Sequence, residues 1–260
     1  MAELTGISWT LHTWNPWRGC HKVSPGCKNC YMFRDQTRWG KDPNVVVRCK
    51  TWGQPIKLQR EAAKKGVREM VFTCSWSDFF IKEADQWRDE AWKVIKQCPN
   101  LIFQVLTKRP DRILKHLPDD WGDGYKNVAL GVSVENDLYF NRMDILRSIP
   151  ASLRFLSAEP LIGPLTGINL DGFGWVITGG ESGTNHRYMD PAWAIEIRDA
   201  CRVLSVPFFH KQGSHLLPGQ DRLLDGKIYE EWPEGWLPEA ESYINKMAAA
   251  VSCDIANAER

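Results

Sequence analysis

The sequence predicts an α/β protein whose parallel strands curl into a full or partial (βα) barrel. Two observations support this fold class. Short apolar runs rich in β-branched and aromatic residues recur at roughly even spacing along the chain, and helix-like segments lie between them. Strands that alternate with helices are joined by right-handed crossovers, which give a parallel sheet. An open doubly wound sheet is the structural alternative.

The predicted strands are largely apolar, as expected of strands that are covered on both faces. They span residues 70–76, 101–107, 127–135, 153–159, 174–181 and 206–213. A seventh strand is expected near the cysteine-rich stretch at residues 19–32, and it makes the sheet long enough to curl.

The segments between these strands have helical patterning. They span residues 85–98, 109–117, 136–149 and 190–204. In the last of them, Asp190 is placed to cap the helix and Pro191 to occupy its first position, which predicts where this helix begins.

The length of 260 residues suits one large barrel better than two small domains. We expect residues 1–213 to form the barrel domain, with the cysteine loop near its start. Residues 214–237 carry repeated Gly, Pro and Trp, which predicts a loop-rich cap, and residues 238–260 predict a terminal helix. Residues 214–260 are therefore expected to form the C-terminal cap.

The charge balance limits the possible partners. The chain has 33 basic and 32 acidic residues and a net charge of +1, so no global field draws it to nucleic acid or to anionic membranes. A local basic groove remains possible. The sequence contains no apolar run of membrane-spanning length, and its first residues lack the features of a signal peptide. We therefore expect a cytoplasmic protein.

Three cysteines, Cys20, Cys27 and Cys30, form a C-x6-C-x2-C motif. Clustered thiolates suit zinc, copper(I) or an iron–sulfur cluster. A structural zinc site needs four ligands, and His21 or Cys49 is available as the fourth. Three thiolates alone fit three corners of a [4Fe-4S] cluster with one iron left open. Plain buried thiols are the third alternative.

Polar residues follow nearly every predicted strand, where parallel strands are normally apolar. They include Ser75, Ser77, Asp78, Lys108, Arg109, Ser133, Glu135, Glu159, Glu181, His210 and Lys211. Because the carboxyl ends of barrel strands meet at one mouth, the repeated pattern predicts a polar cavity there.

The stretch ISWTLHTWNPWRGCHKVSPGCKNCYM resembles the opening of a three-cysteine-motif family associated with phages and bacteria. That family is catalogued largely as a domain of unknown function and is similar to radical S-adenosylmethionine (SAM) enzymes. The resemblance continues through SDFF, LTKRPDRI, GVSVEN, FLSAEPLIGPL, WVITGGESG and FFHKQG, and so spans about residues 7–213. The common radical SAM pattern is C-x3-C-x2-C, and the first gap here is longer.

The resemblance implies a barrel of the radical SAM type, with a [4Fe-4S] cluster on Cys20, Cys27 and Cys30 and S-adenosylmethionine at the open iron. Reductive cleavage of SAM would then give a radical that abstracts a hydrogen from the substrate. The residues at the earlier strand ends match the groups of SAM. Ser75, Ser77 and Asp78 suit its ammonium, Lys108 or Arg109 its carboxylate, and Ser133 and Glu135 its ribose.

The later strands supply Glu159, Glu181, His210 and Lys211, which we expect to form the catalytic wall facing the substrate. Such a wall suits a polar substrate, a small molecule or a nucleic acid, such as a nucleobase or nucleoside in DNA modification or repair. An electron donor such as a flavodoxin or ferredoxin is the implied partner. A non-catalytic zinc- or nucleic-acid-binding barrel is the alternative. The basic segment 48–68 either contacts a phosphate backbone or is a solvated helix face.

Overall fold

A computed structural model of the protein describes residues 5–236. Its strands, in chain order, are β1 (His12–Trp14), β2 (Trp17–Arg18), β3 (Val47–Arg48), β4 (Glu69–Thr73), β5 (Leu101–Thr107), β6 (Val128–Ser133), β7 (Leu153–Ala158), β8 (Trp175–Gly179), β9 (Phe208–Gln212), β10 (Leu223–Leu224) and β11 (Lys227–Ile228). Its α-helices are α1 (Tyr31–Arg38), α2 (Gln54–Lys65), α3 (Asp85–Lys96), α4 (Asn141–Arg147) and α5 (Pro191–Val203).

Seven parallel strands form one sheet in the order β1-β4-β5-β6-β7-β8-β9. Each new strand is added on the same side of the previous one, so the right-handed crossovers place the helices on one face. The sheet curls into a half-barrel with β1 and β9 at its open edges. The predicted partial barrel is confirmed, and the doubly wound alternative is wrong because the strand order never reverses.

The predicted strands are all present, with ends that differ by a few residues from the predicted ones. Among the helices, α3 and α5 confirm the segments 85–98 and 190–204. Asp190 caps α5, since its Oδ1 accepts a hydrogen bond from the Ala192 amide at 2.9 Å. Segment 136–149 is a single 3₁₀ turn followed by α4.

The helix predicted at 109–117 is wrong. The segment instead forms two 3₁₀ turns, Pro110–Arg112 and Leu114–His116. It lies between Pro110 and Pro118, and a residue that precedes proline is disfavoured in the α conformation, so Leu117 is extended. Too few residues remain for a regular helix. The sequence analysis missed α1, whereas α2 lies within segment 48–68, for which a solvated helix face was one of the two alternatives.

Alternate residues of the strands face the inside and the outside of the half-barrel. The inner side begins with an apolar layer of Trp9, Met70, Phe72, Ile102, Ala129, Phe155, Trp175, Ile177, Phe209 and Trp236. Gly131 makes room for this layer, because a Cβ there would lie 2.3 Å from Cζ of Phe155. Above Phe155, the same side of β7 continues with Ser157 and Glu159, where the barrel becomes polar.

Beyond β9, the chain forms the β10–β11 hairpin and then returns to the sheet edge, where the Glu231 amide donates to the Phe208 carbonyl at 3.1 Å. The domain boundary at residue 213 stays a prediction. The terminal helix predicted at 238–260 lies outside the described residues. Within residues 5–236, no helix is long and apolar enough to cross a membrane.

Candidate active site

A cavity of about 250 Å³ opens at the carboxyl ends of the strands, between the half-barrel and the cysteine loop. Most of the predicted site residues line it. These are Cys20, Cys27, Cys30, Ser75, Ser77, Asp78, Lys108, Arg109, Ser133, Glu159, Glu181 and Lys211. The predicted mouth of the barrel therefore brings the three thiols and the charged strand ends to a single cavity. Glu135 and His210 are not part of its lining.

The three cysteines are free thiols, and all three line this cavity. The Cys20 thiol donates to the His21 carbonyl at 3.6 Å, and the Cys27 sulfur lies 3.9 Å from the Ser24 hydroxyl. Burial raises the pKa of the Cys20 thiol to about 12 and also raises the pKa of Cys30. Among residues 5–236, no three His, Cys, Asp or Glu side chains are arranged to hold a metal ion.

The cavity lining offers the three thiols of the cysteine motif and the His21 imidazole as possible metal ligands. Three thiols alone would leave one iron of a [4Fe-4S] cluster open, whereas a structural zinc site would need a fourth ligand. Of the two candidates for a fourth zinc ligand, His21 lines the same cavity as the thiols and Cys49 does not. His21 pairs through Nε2 with Oε1 of Glu83 at 2.8 Å.

Glu135 lies beneath the cysteine loop and supports it. Its carboxylate is fully buried and accepts hydrogen bonds from Ser24 Oγ and from Arg142 Nη1, the latter at 2.9 Å. Lys108 Nζ lies 3.5 Å from its Oε1. The loop fits tightly here, because a Cβ on Gly26 would lie 2.3 Å from Cγ of Glu135. Glu135 therefore faces the loop, whereas the sequence predicts it at the ribose.

Glu181 holds the other end of the loop. Its Oε2 accepts from Asn29 Nδ2 at 2.9 Å and from Arg187 Nε at 3.0 Å. Arg187 in turn donates from Nη2 to the Pro25 carbonyl at 3.0 Å. Burial acts to raise the pKa of Glu181, but the hydrogen bonds from Arg187 and Asn29 outweigh it and hold the pKa below its usual range. Glu181 is thus ionised, and both of its carboxylate oxygens already accept hydrogen bonds from within the protein.

Asp78 and Arg109 form a buried pair that also touches the loop. Asp78 Oδ1 accepts from the Phe80 amide at 2.9 Å and from Thr107 Oγ1 at 2.7 Å, and its Oδ2 lies 2.9 Å from Arg109 Nη1. Arg109 donates from Nη2 to the His21 carbonyl at 2.8 Å, and its Nη1 lies 3.9 Å from the Cys20 sulfur. Both side chains are therefore engaged in positioning the loop.

The two serines after β4 are engaged in the same way. Ser77 donates to the Gly19 carbonyl at 2.6 Å, and Ser75 Oγ accepts from Asn15 Nδ2 at 3.0 Å. The Tyr31 hydroxyl donates to the Ser75 carbonyl at 2.7 Å, which joins the start of α1 to the end of β4.

Four other polar side chains at the cavity have fewer or longer contacts within the protein. Lys211 Nζ lies 3.0 Å from Oε1 of Glu159, and Ser157 donates to Oε2 of Glu159 at 3.2 Å. Lys108 Nζ is 3.4 Å from the Glu159 carbonyl. Together with Ser133, these groups supply the cavity with two cations, one carboxylate and two hydroxyls.

His210 is the one predicted catalytic residue that does not line the cavity. Strand alternation turns Phe209 and Lys211 inward and His210 outward. Its Nδ1 lies 2.9 Å from Oγ1 of Thr178, and it is fully buried. Burial lowers the pKa of His210 to about 4, so the ring is neutral at physiological pH.

Sequence reasoning missed Asn29, Arg142 and Arg187, which join the loop to the barrel or brace its supports. Arg142 and Arg187 follow their partner carboxylates by seven and six residues. Asn29 precedes Glu181 by 152 residues, and no sequence motif indicated these contacts. The structure identifies these two arginines and one asparagine by their hydrogen bonds to the Glu135 and Glu181 carboxylates.

Comparison with known proteins identifies one protein family whose model matches most of the chain. A family model with the description "Protein of unknown function (DUF5131)" matches residues 4–233. No curated protein matches the sequence.

Among solved structures, a spore photoproduct lyase with a cysteine-to-serine substitution is 14% identical, with a TM-score of 0.52 over 83% of this chain and 78% of that one. A doubly substituted spore photoproduct lyase with bound AdoMet and dinucleoside spore photoproduct is 15% identical, with a TM-score of 0.46 over 70% of this chain. The chain spans 58% of the length of that second lyase. At these identities the likeness concerns the fold.

Proposed function

We propose that this chain, which belongs to the DUF5131 family of proteins of unknown function, is a radical SAM enzyme. One observation carries the proposal. Three thiols from a single loop share a cavity with two lysines and three carboxylates at the carboxyl ends of a parallel half-barrel. The resemblance of the cysteine segment to radical SAM sequences supports it, as does the fold shared with spore photoproduct lyase.

Cys20, Cys27 and Cys30 would hold the [4Fe-4S] cluster, with S-adenosylmethionine beside it. When bound, the cluster would supply the one-electron chemistry for reductive cleavage of SAM, which would start the removal of a hydrogen from the substrate. A small donor such as a flavodoxin or ferredoxin would supply that electron from outside the protein. The protein's own contribution is to bind, orient and exclude water.

Among the charged residues at the cavity, Lys108 is the best placed to pair with the SAM carboxylate. Its ammonium faces the cavity and its contacts at 3.4 and 3.5 Å are long for a charged donor. Arg109 was the equal candidate on sequence grounds. It is less suited, because its guanidinium already binds Asp78 and the cysteine loop.

The substrate would bind against Glu159 and Lys211. This pair offers an acceptor and a donor next to each other at 3.0 Å, and Ser157 adds a hydroxyl. Paired donor and acceptor groups match the edge of a polar planar group such as a nucleobase. We therefore propose a nucleobase or nucleoside as substrate, in a modification or repair reaction.

Anaerobic purification followed by metal analysis tests the proposal. The protein should be brown and contain about four iron atoms per chain. Cys27→Ala should lose the iron, whereas the control Cys49→Ala, outside the cavity lining, should retain it. With a reductant, the loaded protein should convert SAM to methionine. Stoichiometric zinc in place of iron, lost on Cys27→Ala, would establish the zinc-binding alternative and sink the enzymatic one.

A further inference from the structure

The outer face of the cysteine loop and α1 is strongly cationic, although the whole chain is nearly neutral. Residues 21–41 contain five lysine or arginine side chains and one acidic side chain, Asp35. All five cations are exposed. We call them, together with the neighbouring Trp39, the cationic rim: Lys22, Lys28, Arg34, Trp39, Arg38 and Lys41.

Most of this charge is not neutralised within the protein. Arg34 pairs through Nε with Asp35 at 2.9 Å, and Lys22 lies 4.9 Å from the centroid of the Phe33 ring. Within residues 5–236, the side chains of Lys28 and Arg38 form no ion pair. Exposed cations that lack internal partners are free to bind an external anion.

An exposed aromatic platform lies among these cations. The Trp39 side chain remains 53% exposed, and its ring stacks on Trp76 with centroids 4.7 Å apart and planes 10° from parallel. One face of Trp39 is thus held by Trp76, and the indole is presented to solvent in a fixed orientation. Lys41 Nζ lies over the Trp39 ring, 5.6 Å from its centroid.

The rim borders the opening of the cavity on two sides. Trp76 stands between Ser75 and Ser77, both of which line the cavity. On the other side, Arg34 reaches the loop after β8, because its Nη1 lies 2.7 Å from where a Cβ of Gly183 would stand. The neighbouring Ser182 also lines the cavity. A polyanion bound to the cationic rim would therefore extend across the opening of the cavity.

We propose that the cationic rim binds single-stranded nucleic acid, with phosphates on Lys28 and Arg38 and a base stacked on Trp39, so that an adjacent base is presented to the cavity. The exposed cations favour a polyanion as the ligand. The exposed Trp39 ring favours a polyanion that carries flat aromatic groups, as the bases of a nucleic acid do. A base must also leave its stack to enter a cavity, which favours a single strand over a duplex. The claim that a base enters the cavity depends on the proposed function, whereas the claim that nucleic acid binds the cationic rim does not.

Fluorescence anisotropy with labelled oligonucleotides tests binding without any cluster or SAM. Oligothymidylate and oligouridylate of about 12 nucleotides distinguish DNA from RNA as the source of the strand. We expect binding by at least one of them, with affinity that falls steeply as salt is raised because bound phosphates release counterions. Lys28→Glu/Arg38→Glu should weaken it about tenfold or more, and Trp39→Ala by about tenfold.

The matched control is Lys57→Glu/Lys64→Glu, which makes the same charge change on exposed positions of α2, a helix packed against the outer face of β5. This control also tests the basic segment 48–68, in which Arg48 is already paired with Glu90 at 2.6 Å. Trp39→Phe keeps a stacking ring and should retain most of the affinity, which guards against a folding defect in Trp39→Ala.

Equal loss of affinity in the rim variant and in the α2 control would overturn the proposal, since binding would then follow net charge alone. Stronger binding to duplex than to single strands would overturn it as well, as would the absence of binding to either oligonucleotide. None of these results bears on iron content or SAM cleavage, so a failure of the rim proposal is distinct from a failure of the enzymatic one.

Discussion

Asn29 donates from Nδ2 to Oε2 of Glu181 over 2.9 Å, joining the cysteine loop to a strand end 152 residues later in the chain. The same carboxylate binds Arg187, which returns to the loop through the Pro25 carbonyl. At the other end of the loop, buried Glu135 accepts from Ser24. Two carboxylates that follow different strands thus bind a loop that has little regular structure of its own.

Loss of the Glu181–Arg187 pair should destabilise the protein. We expect Arg187→Ala to lower the free energy of unfolding by about 1–2 kcal/mol, because the Glu181 carboxylate loses charged donors in a nearly buried position. Denaturant unfolding measures the change. Glu181→Ala/Arg187→Ala should cost less than the sum of the single variants, since the second change leaves no partner unpaired. Strictly additive effects would contradict a coupled pair.

The exposed pair between Asp144 and Arg147 provides the comparison. The Asp144 side chain is 71% exposed, so Asp144→Ala should change the unfolding free energy by no more than about 0.5 kcal/mol.

Gly26 should not tolerate a side chain. Its Cβ would lie 2.3 Å from Cγ and 2.5 Å from Oε1 of Glu135, which is held from behind by Arg142. We expect Gly26→Ala to lower the unfolding free energy by about 1–3 kcal/mol, the usual cost of overpacking. Gly6→Ala is the control, because nothing lies within 4 Å of its Cβ position. Equal stability of both variants in thermal unfolding would show that the loop is not fitted to Glu135.

The sequence could predict the parts of this molecule that depend on local pattern. Continuous apolar runs identified the strands, and the alternation of strands and helices identified the parallel sheet. Asp190 and Pro191 marked the start of α5 because capping is a contact between neighbours in the chain. The segment 109–117 failed because proline chemistry outweighed its apolar spacing.

The placement of the site residues was predictable only to the level of the strand end. Glu135 and Glu181 both follow strands and both were expected at a ligand. Whether such a carboxylate faces a cavity or a loop depends on which distant donors reach it, here Ser24 and Asn29. His210 was misplaced for a simpler reason: its strand register, and therefore its side of the sheet, is set by pairing with β8 and not by its own neighbours.

His210 should make the protein less stable in mild acid. Burial lowers its pKa to about 4 in the folded protein, whereas the unfolded ring titrates at about 6.5. Between these values the unfolded state binds a proton that the folded state excludes. Stability is therefore complete above pH of about 6.5 and falls as the pH decreases toward about 4, by about 3 kcal/mol in total.

Urea unfolding at a series of pH values checks this contribution. In His210→Gln the group that titrates is gone, so the decline across the window should be shallower than in the wild type. The neighbouring Thr178 keeps a hydrogen-bonding partner in that variant. Parallel pH dependences of the two proteins would contradict the assignment.

Lys108 and Arg109 are adjacent in sequence but should respond differently to replacement. Lys108 Nζ faces the cavity with long contacts, and Arg109 is bound to Asp78 and to the loop at His21. If Lys108 pairs with the SAM carboxylate, Lys108→Ala should weaken SAM binding by about 1.5–3 kcal/mol, the scale of a charge-assisted hydrogen bond, and leave iron content unchanged. Arg109→Ala should instead reduce iron content, because the loop around Cys20 loses its hydrogen bond to the barrel.

Anaerobic equilibrium dialysis measures SAM binding, and iron analysis measures cluster content, so the two effects can be separated. Lys108→Arg, which keeps the charge, should retain part of the SAM affinity. A SAM dissociation constant that Lys108→Ala leaves unaltered would assign this lysine to the support of Glu135 alone.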